Sequence, residues 1–95
     1  MNMIKYVVEF IGTFLFLSIV LKSGQYGNVQ PYVIASGLVA AILFGGSVSG
    51  AHFNPAITAM NLYGNSINLN DAVFYVVAQV AGGIVALEAS RRLYQ

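Results

Sequence analysis

The side chains able to do chemistry concentrate in one stretch, Ser49-Gly50-Ala51-His52-Phe53-Asn54-Pro55-Ala56-Ile57-Thr58. It offers hydroxyls, an imidazole and a carboxamide, but no acid and no thiol. The chain has one His and no Cys, and its three acids, Glu9, Asp71 and Glu88, are scattered along it. That supplies no nucleophile with its base and no glycine-rich phosphate loop after a strand. His52 as a metal ligand would need partners that one copy cannot provide. Neither an enzyme nor a cofactor is expected. The chemistry left is hydrogen bonding to a neutral solute. Asn54 presents amide donors, and a helix starting at Pro55 presents unpaired N–H groups and a partial positive charge. Ser49, Gly50, Ala51 and His52 would turn successive carbonyl acceptors toward the same path. His52 adds either a ring donor on that path or a structural hydrogen bond to Glu9. A cation would meet the wrong end of the helix dipole.

These groups need an element that holds them in place. Asn54 followed by Pro55 is a helix start, with Asn as cap and Pro at the first helical position. The pattern predicts a half-helix over about residues 55–63, stopped by Gly64-Asn65. Upstream, Gly45, Gly46, Ser47, Ser49 and Gly50 read as an extended approach. The whole is a re-entrant loop, which survives in lipid only when protein buries it or it lines a watery cavity.

Composition supports lipid. The 95 residues are 58% hydrophobic and only 7% charged, with net charge +1, against about a quarter charged in soluble domains. No basic stripe suggests nucleic acid. The fold class expected is an all-α membrane protein, one multi-pass unit without a soluble domain. Three transmembrane helices are predicted at about residues 4–21, 32–46 and 72–89. The first is too long, carries Glu9 and is followed by further spans, unlike a signal peptide. Residues 22–31 form a polar loop. Gly37, Ala41 and Gly45, and later Ala78, Gly82, Ala86 and Ser90, give small-residue faces for close helix packing. Asn70 is the expected cap of the third span, with Asp71 on its positive dipole end. Glu88, Arg91 and Arg92 form a solvated cluster, and with Leu93-Tyr94-Gln95 an interfacial anchor that gives the third span a polar finish.

Glu9 and Gln79 remain. Glu9 is either a span-end carboxylate reaching water beside Lys5, or a bundle-facing acid. Gln79 makes an interhelical hydrogen bond on the simplest reading.

The motif Ser-Gly-Ala-His-Phe-Asn-Pro-Ala-Ile-Thr resembles the first Asn-Pro-Ala loop of the aquaporins and glycerol facilitators, the major intrinsic proteins. Val8-Glu9-Phe10-Ile11-Gly12-Thr13-Phe14 is similar to that family's first-helix motif. Tyr75-Val76-Val77-Ala78-Gln79-Val80-Ala81-Gly82-Gly83 is similar to its third-helix motif. Three motifs in order cover roughly residues 4–90. The resemblance implies that Glu9 and Gln79 brace the loop, and that a residue near positions 34–36 joins an outer constriction. It implies a pore lined by Gly50, Ala51, His52, Asn54, Pro55, Ala56 and Ile57, passing water and small neutral solutes.

Family members carry two such halves, and this sequence carries one. A half-helix fills only half the bilayer, so a second must enter from the opposite side. An inverted homodimer provides that geometry, with higher oligomers built on it. At Ile57 the family's second motif has an Arg, so a strict water filter is not expected. The alternatives are a half that pairs with another channel and modulates it, or an inactive truncated half. Lys22, Arg91 and Arg92 would place the C-terminal side in the cytoplasm. The resemblance places the N-terminus there, and insertion in both orientations is expected.

Overall fold

The structure is a computed structural model that describes residues 3–93. Tyr94 and Gln95 of the expected anchor lie outside the described residues. The order is α1 (Ile4–Lys22), 3₁₀ turns over Ser23–Val29, α2 (Gln30–Ser49), α3 (Pro55–Tyr63) and α4 (Leu69–Leu93). No strand occurs among the described residues. At 1.5 Å per residue α1, α2 and α4 measure about 28, 30 and 38 Å, enough to cross a hydrocarbon core of about 30 Å. The stretch Ile4–Ser49, which holds α1 and α2, and Leu69–Leu93 are both apolar enough to do so. Three long helices and one short one make an all-α membrane bundle.

The bundle is organised by α1, which packs against both α2 and α4, while α3 packs against α4. Small residues set the distances. A Cβ added to Gly82 would lie 2.8 Å from the Phe10 carbonyl and 3.2 Å from the Phe14 nitrogen. The backbones of α1 and α4 therefore touch. On α2 the buried positions are Gly37, Ala41, Gly45 and Ser49, one face at a spacing of four. Buried groups are as often polar as apolar: Glu9, Thr13, Ser23, Ser49, Thr58 and Gln79 beside Val8, Ala41, Phe53, Ala72, Tyr75 and Ala86. Large aliphatic side chains point outward instead. Lipid removes the usual penalty for that arrangement, so close packing and interhelical hydrogen bonds hold the helices together.

Two local expectations change. The stretch from Gly45 to Ser49 is helical, and α2 closes only at Gly50, which takes φ +86° and returns its N–H to the Gly46 carbonyl. Gly45 belongs there for packing: a Cβ on it would meet Val8 at 2.8 Å and Phe53 at 2.9 Å. The cap of α4 is Asn68 and not Asn70. Its Oδ1 accepts from the Asp71 N–H at 2.8 Å, the third helical position that a capping side chain reaches. Asp71 then does more than answer the helix dipole. It accepts from Lys5 at 2.6 Å and from the Tyr6 hydroxyl, tying the start of α4 to the start of α1. Lys5 is thus the partner of Asp71, not a helper of Glu9.

Candidate re-entrant loop site

The segment joining α2 to α3 takes an unfavourable path. Ala51 and Phe53 have φ of +53° and +51°, a left-handed conformation that costs about 1–2 kcal/mol for each residue with a Cβ. Hydrogen bonds from outside the loop must hold it. Glu9, with none of its surface exposed, supplies them. Its Oε2 accepts from the Ser49 hydroxyl at 2.7 Å and the His52 N–H at 3.0 Å. Its Oε1 accepts from the Phe53 N–H at 2.9 Å and the Gln79 Nε2 at 2.9 Å. Four donors on one carboxylate compensate for its burial, since each charged hydrogen bond contributes roughly 1.5–3 kcal/mol.

The second layer is set by chemistry. A carboxylate only accepts, so the Gln79 amide must turn its NH₂ toward Glu9. That same nitrogen donates to the Thr58 Oγ1 at 3.0 Å, and Thr58 Oγ1 lies 2.9 Å from His52 Nδ1. The Tyr75 hydroxyl donates to the Ser49 carbonyl at 2.6 Å, and its ring meets the His52 ring edge-on at 4.9 Å. The Phe53 ring fills a slot between Gly12 and Gly45. Helices α1, α2 and α4 thus each contribute a fixed point.

Asn54 caps α3 from an extended backbone, its Oδ1 accepting from the Ala56 N–H at 2.7 Å. Its amide nitrogen is therefore turned away from the helix. Asn54, Pro55, Ala56 and Ile57 are all exposed, as is Gly50, while Ala51 and His52 are half-buried. Counting along the helices, Glu9 and Gln79 lie about 8 and 15 Å from the starts of α1 and α4. The N-terminal end of α3 is held at that depth, inside the bundle's length. Beside it runs a groove of 410 Å³ lined by residues that include Leu17, Phe53, Pro55, Val80 and Ile84. Thr13 and Gln79 also line it, and their Oγ1 and Oε1 are buried without a partner among the described residues.

The structure brings Glu9, Gln79 and the loop from Gly50 to Ile57 into one assembly. The bond from His52 to Glu9 comes from its backbone N–H, and its ring is engaged by Thr58 instead. The Ser49 carbonyl is taken by Tyr75. Sequence reading passed over Thr58 and Tyr75. A signal existed for both: Tyr75 lies one helical turn before Gln79, and Thr58 one turn after Asn54, so each shares a face with a singled-out residue.

Comparison with known proteins agrees with this geometry. The family model described as "Major intrinsic protein" matches residues 1–95. A glycerol uptake facilitator protein-like 6 from Lactiplantibacillus plantarum is 44% identical over 90 residues, covering 90% of this chain and 41% of the relative. Aquaporin-5 from Sus scrofa is 41% identical over 83 residues, 80% of this chain and 31% of that protein. Aquaporin-2 from Orycteropus afer is 37% identical over 86 residues, 80% of this chain and 76% of the relative's sequence. The chain spans less than half the length of the first two relatives. No solved structure matches it.

Proposed function

Because the chain belongs to the major intrinsic protein family, we propose that it forms a passive membrane channel for water and small neutral solutes, built from two halves paired in opposite orientations. One observation carries this reading. The α3 N-terminus and the Asn54 amide are held inside the bundle's length by a buried network, yet Asn54 to Ile57 are exposed. An element fixed at such cost and left open on one side is built to meet something there.

In the paired molecule, each Asn54 offers its amide to the solute while Pro55 and Ala56 form the meeting edge of the two half-helices. Gly50, Ala51 and His52 line the approach with carbonyl acceptors. Glu9 and Gln79 brace the loop and do not touch solute. Opposed helix N-termini place positive potential at the centre, which disfavours cations while neutral hydrogen-bonding solutes pass. The groove beside Pro55 is where the inverted partner sits, and its apolar lining suits that contact. Ile57 puts an aliphatic side chain one step past Ala56, so the mouth lacks a guanidinium donor. Glycerol and other small alcohols then belong to the solute class. No catalytic step is assigned.

The test is the shrinkage rate of liposomes containing only this chain after an osmotic step, with water and glycerol measured in parallel. Faster shrinkage than protein-free liposomes is expected. Folded, inserted protein with no flux above the lipid background would reject a self-sufficient channel and favour a half that works only with another partner.

A further inference from the structure

The hydrogen bonds around Glu9 have a direction as well as a length. An ionised carboxylate only accepts, so the Gln79 amide presents its NH₂. The two hydrogens of that nitrogen go to Glu9 Oε1 at 2.9 Å and to Thr58 Oγ1 at 3.0 Å. The carboxylate imposes this orientation, because it leaves Gln79 Oε1 buried without a partner among the described residues. Thr58 is fully buried, and its oxygen already accepts from Gln79. Its one hydroxyl proton still needs an acceptor. Among the described residues that acceptor is His52 Nδ1, at 2.9 Å. A nitrogen that accepts carries no proton of its own, so the neutral ring holds its proton on Nε2. The opposite tautomer would aim Nδ1–H at the Thr58 oxygen and strand the hydroxyl proton, leaving a buried hydrogen bond unmade.

The far edge of the ring is open. His52 is half-buried, and its Nε2 has no partner among the described residues. The buried polar side-chain atoms without a partner there are Thr13 Oγ1 and Gln79 Oε1, so Nε2 is accessible. Gly50 is exposed, and a Cβ built on it would stand 3.6 Å from both Nε2 and Cδ2 of the ring. Nε2 therefore emerges beside Gly50, one of the approach residues of the proposed channel.

We propose that Glu9, acting through Gln79 and Thr58, fixes His52 as the Nε2–H tautomer, and that this N–H donates to the oxygen of a passing water or alcohol. Gln79 and Thr58 are positioning residues, and His52 is the group that meets the solute. The relay stands on its own geometry, whereas the donation to solute rests on the channel reading. A ring held this way offers a hydrogen and no lone pair at its open edge. It favours hydroxyl oxygens and gives nothing to a cation.

The chain has one His, so isotope labelling of its ring nitrogens gives an unambiguous NMR spectrum of the full chain in neutral detergent. At about pH 8, above the ordinary imidazole pKa, the proton should sit on Nε2. That form should outnumber the other at least about fivefold, the ratio implied by the low end of the cost of an unmade buried hydrogen bond. Thr58→Ser keeps the hydroxyl and should keep the ratio. Thr58→Val keeps the shape and should bring the two forms toward parity. A wild-type ring protonated mainly on Nδ1, on both nitrogens, or on each equally would overturn the relay. So would a ratio unchanged in Thr58→Val. Donation is read separately, as glycerol flux into liposomes. His52→Phe keeps a flat ring without the donor and should slow the flux about threefold to tenfold, as loss of one net hydrogen bond implies. His52→Gln returns an N–H donor and should recover most of it. Wild-type flux in His52→Phe, or equal flux in the two variants, would overturn the donor role. Wild-type liposomes that do not conduct would instead defeat the channel reading, and the donor role with it, while the spectrum still decides the relay.

Discussion

At the residue scale, the proposed channel divides the labour between Glu9, which holds the loop, and Asn54, which would meet the solute. Glu9 receives four hydrogen bonds, three of them from Ser49, His52 and Phe53. Glu9→Gln keeps the shape but turns an NH₂ toward donors, leaving buried N–H groups unpaired. We expect a loss of at least about 2 kcal/mol, read as a lower Tm in detergent and a lower yield, with flux per folded molecule much less affected. A Glu9→Ala protein of unchanged Tm would show that the carboxylate does not brace the loop. Asn54→Asp should behave in the opposite way. The capping oxygen survives, so stability should stay within roughly 0.5 kcal/mol of wild type, as caps of similar rank do. The amide donors vanish and a negative charge appears beside the path, so solute flux in liposomes should collapse. Wild-type flux would reduce Asn54 to a cap. Both residues were legible in the sequence because each is chemically out of place, an acid in a span and an Asn-Pro inside an apolar run. Thr58 and Tyr75 were marked only by the helix face they share with Asn54 and Gln79, a weak signal because hydroxyls in apolar helices are common and their roles depend on neighbours far away in sequence.

At the scale of elements, glycine was the residue most easily misread. Gly45, Gly46 and Ser47 lower intrinsic helix propensity, by about 1 kcal/mol per Gly relative to Ala, and an extended approach follows if propensity decides. Packing decides instead. Gly12 on α1 and Gly45 on α2 make the slot for Phe53, where a Cβ on Gly12 would stand 2.2 Å from Cε1 of the ring. No small adjustment accommodates that distance, because the ring is flanked by both helices and its own N–H is held by Glu9. Gly12→Ala should therefore destabilise by about 1–3 kcal/mol, despite the gain in helix propensity. Gly46 is the internal control. The nearest atom to its added Cβ is Ile42 Cγ2 at 3.9 Å, an ordinary contact, so Gly46→Ala should leave Tm unchanged or raise it. The two substitutions having the same sign would mean that the slot does not set the loop. The start of α4 carries the same lesson. Asn68 and Asn70 are both good caps by type, and only the geometry of the preceding turn selects Asn68.

At the scale of the whole molecule, the half-helix poses the problem that the rest of the fold leaves open. α3 is nine residues long, about 14 Å at 1.5 Å per residue, and so accounts for one half of a bilayer. A parallel partner would place its own α3 in that same half. On the proposed pairing, a partner inserted the other way supplies the missing half, which requires the same polypeptide to enter the membrane in both directions. The charges make this a close contest. The C-terminal end has more Lys and Arg, which favours the cytoplasm for that side. The family's first half would instead be expected to keep its N-terminus inside. The ion pair between Lys5 and Asp71 at 2.6 Å does not remove Lys5 from the balance, since Asp and Glu contribute little to orientation. We therefore expect C-terminal fusions to a reporter active only in the cytoplasm and to one active only outside it both to give signal, at comparable levels. Adding one Lys beside Lys5, or removing Arg91 and Arg92, should then shift the ratio strongly, as a near-balanced system must. If instead a single orientation dominates and resists those changes, the inverted homodimer has no source of partners. The exposed end of α3 would then have to be completed by a different chain.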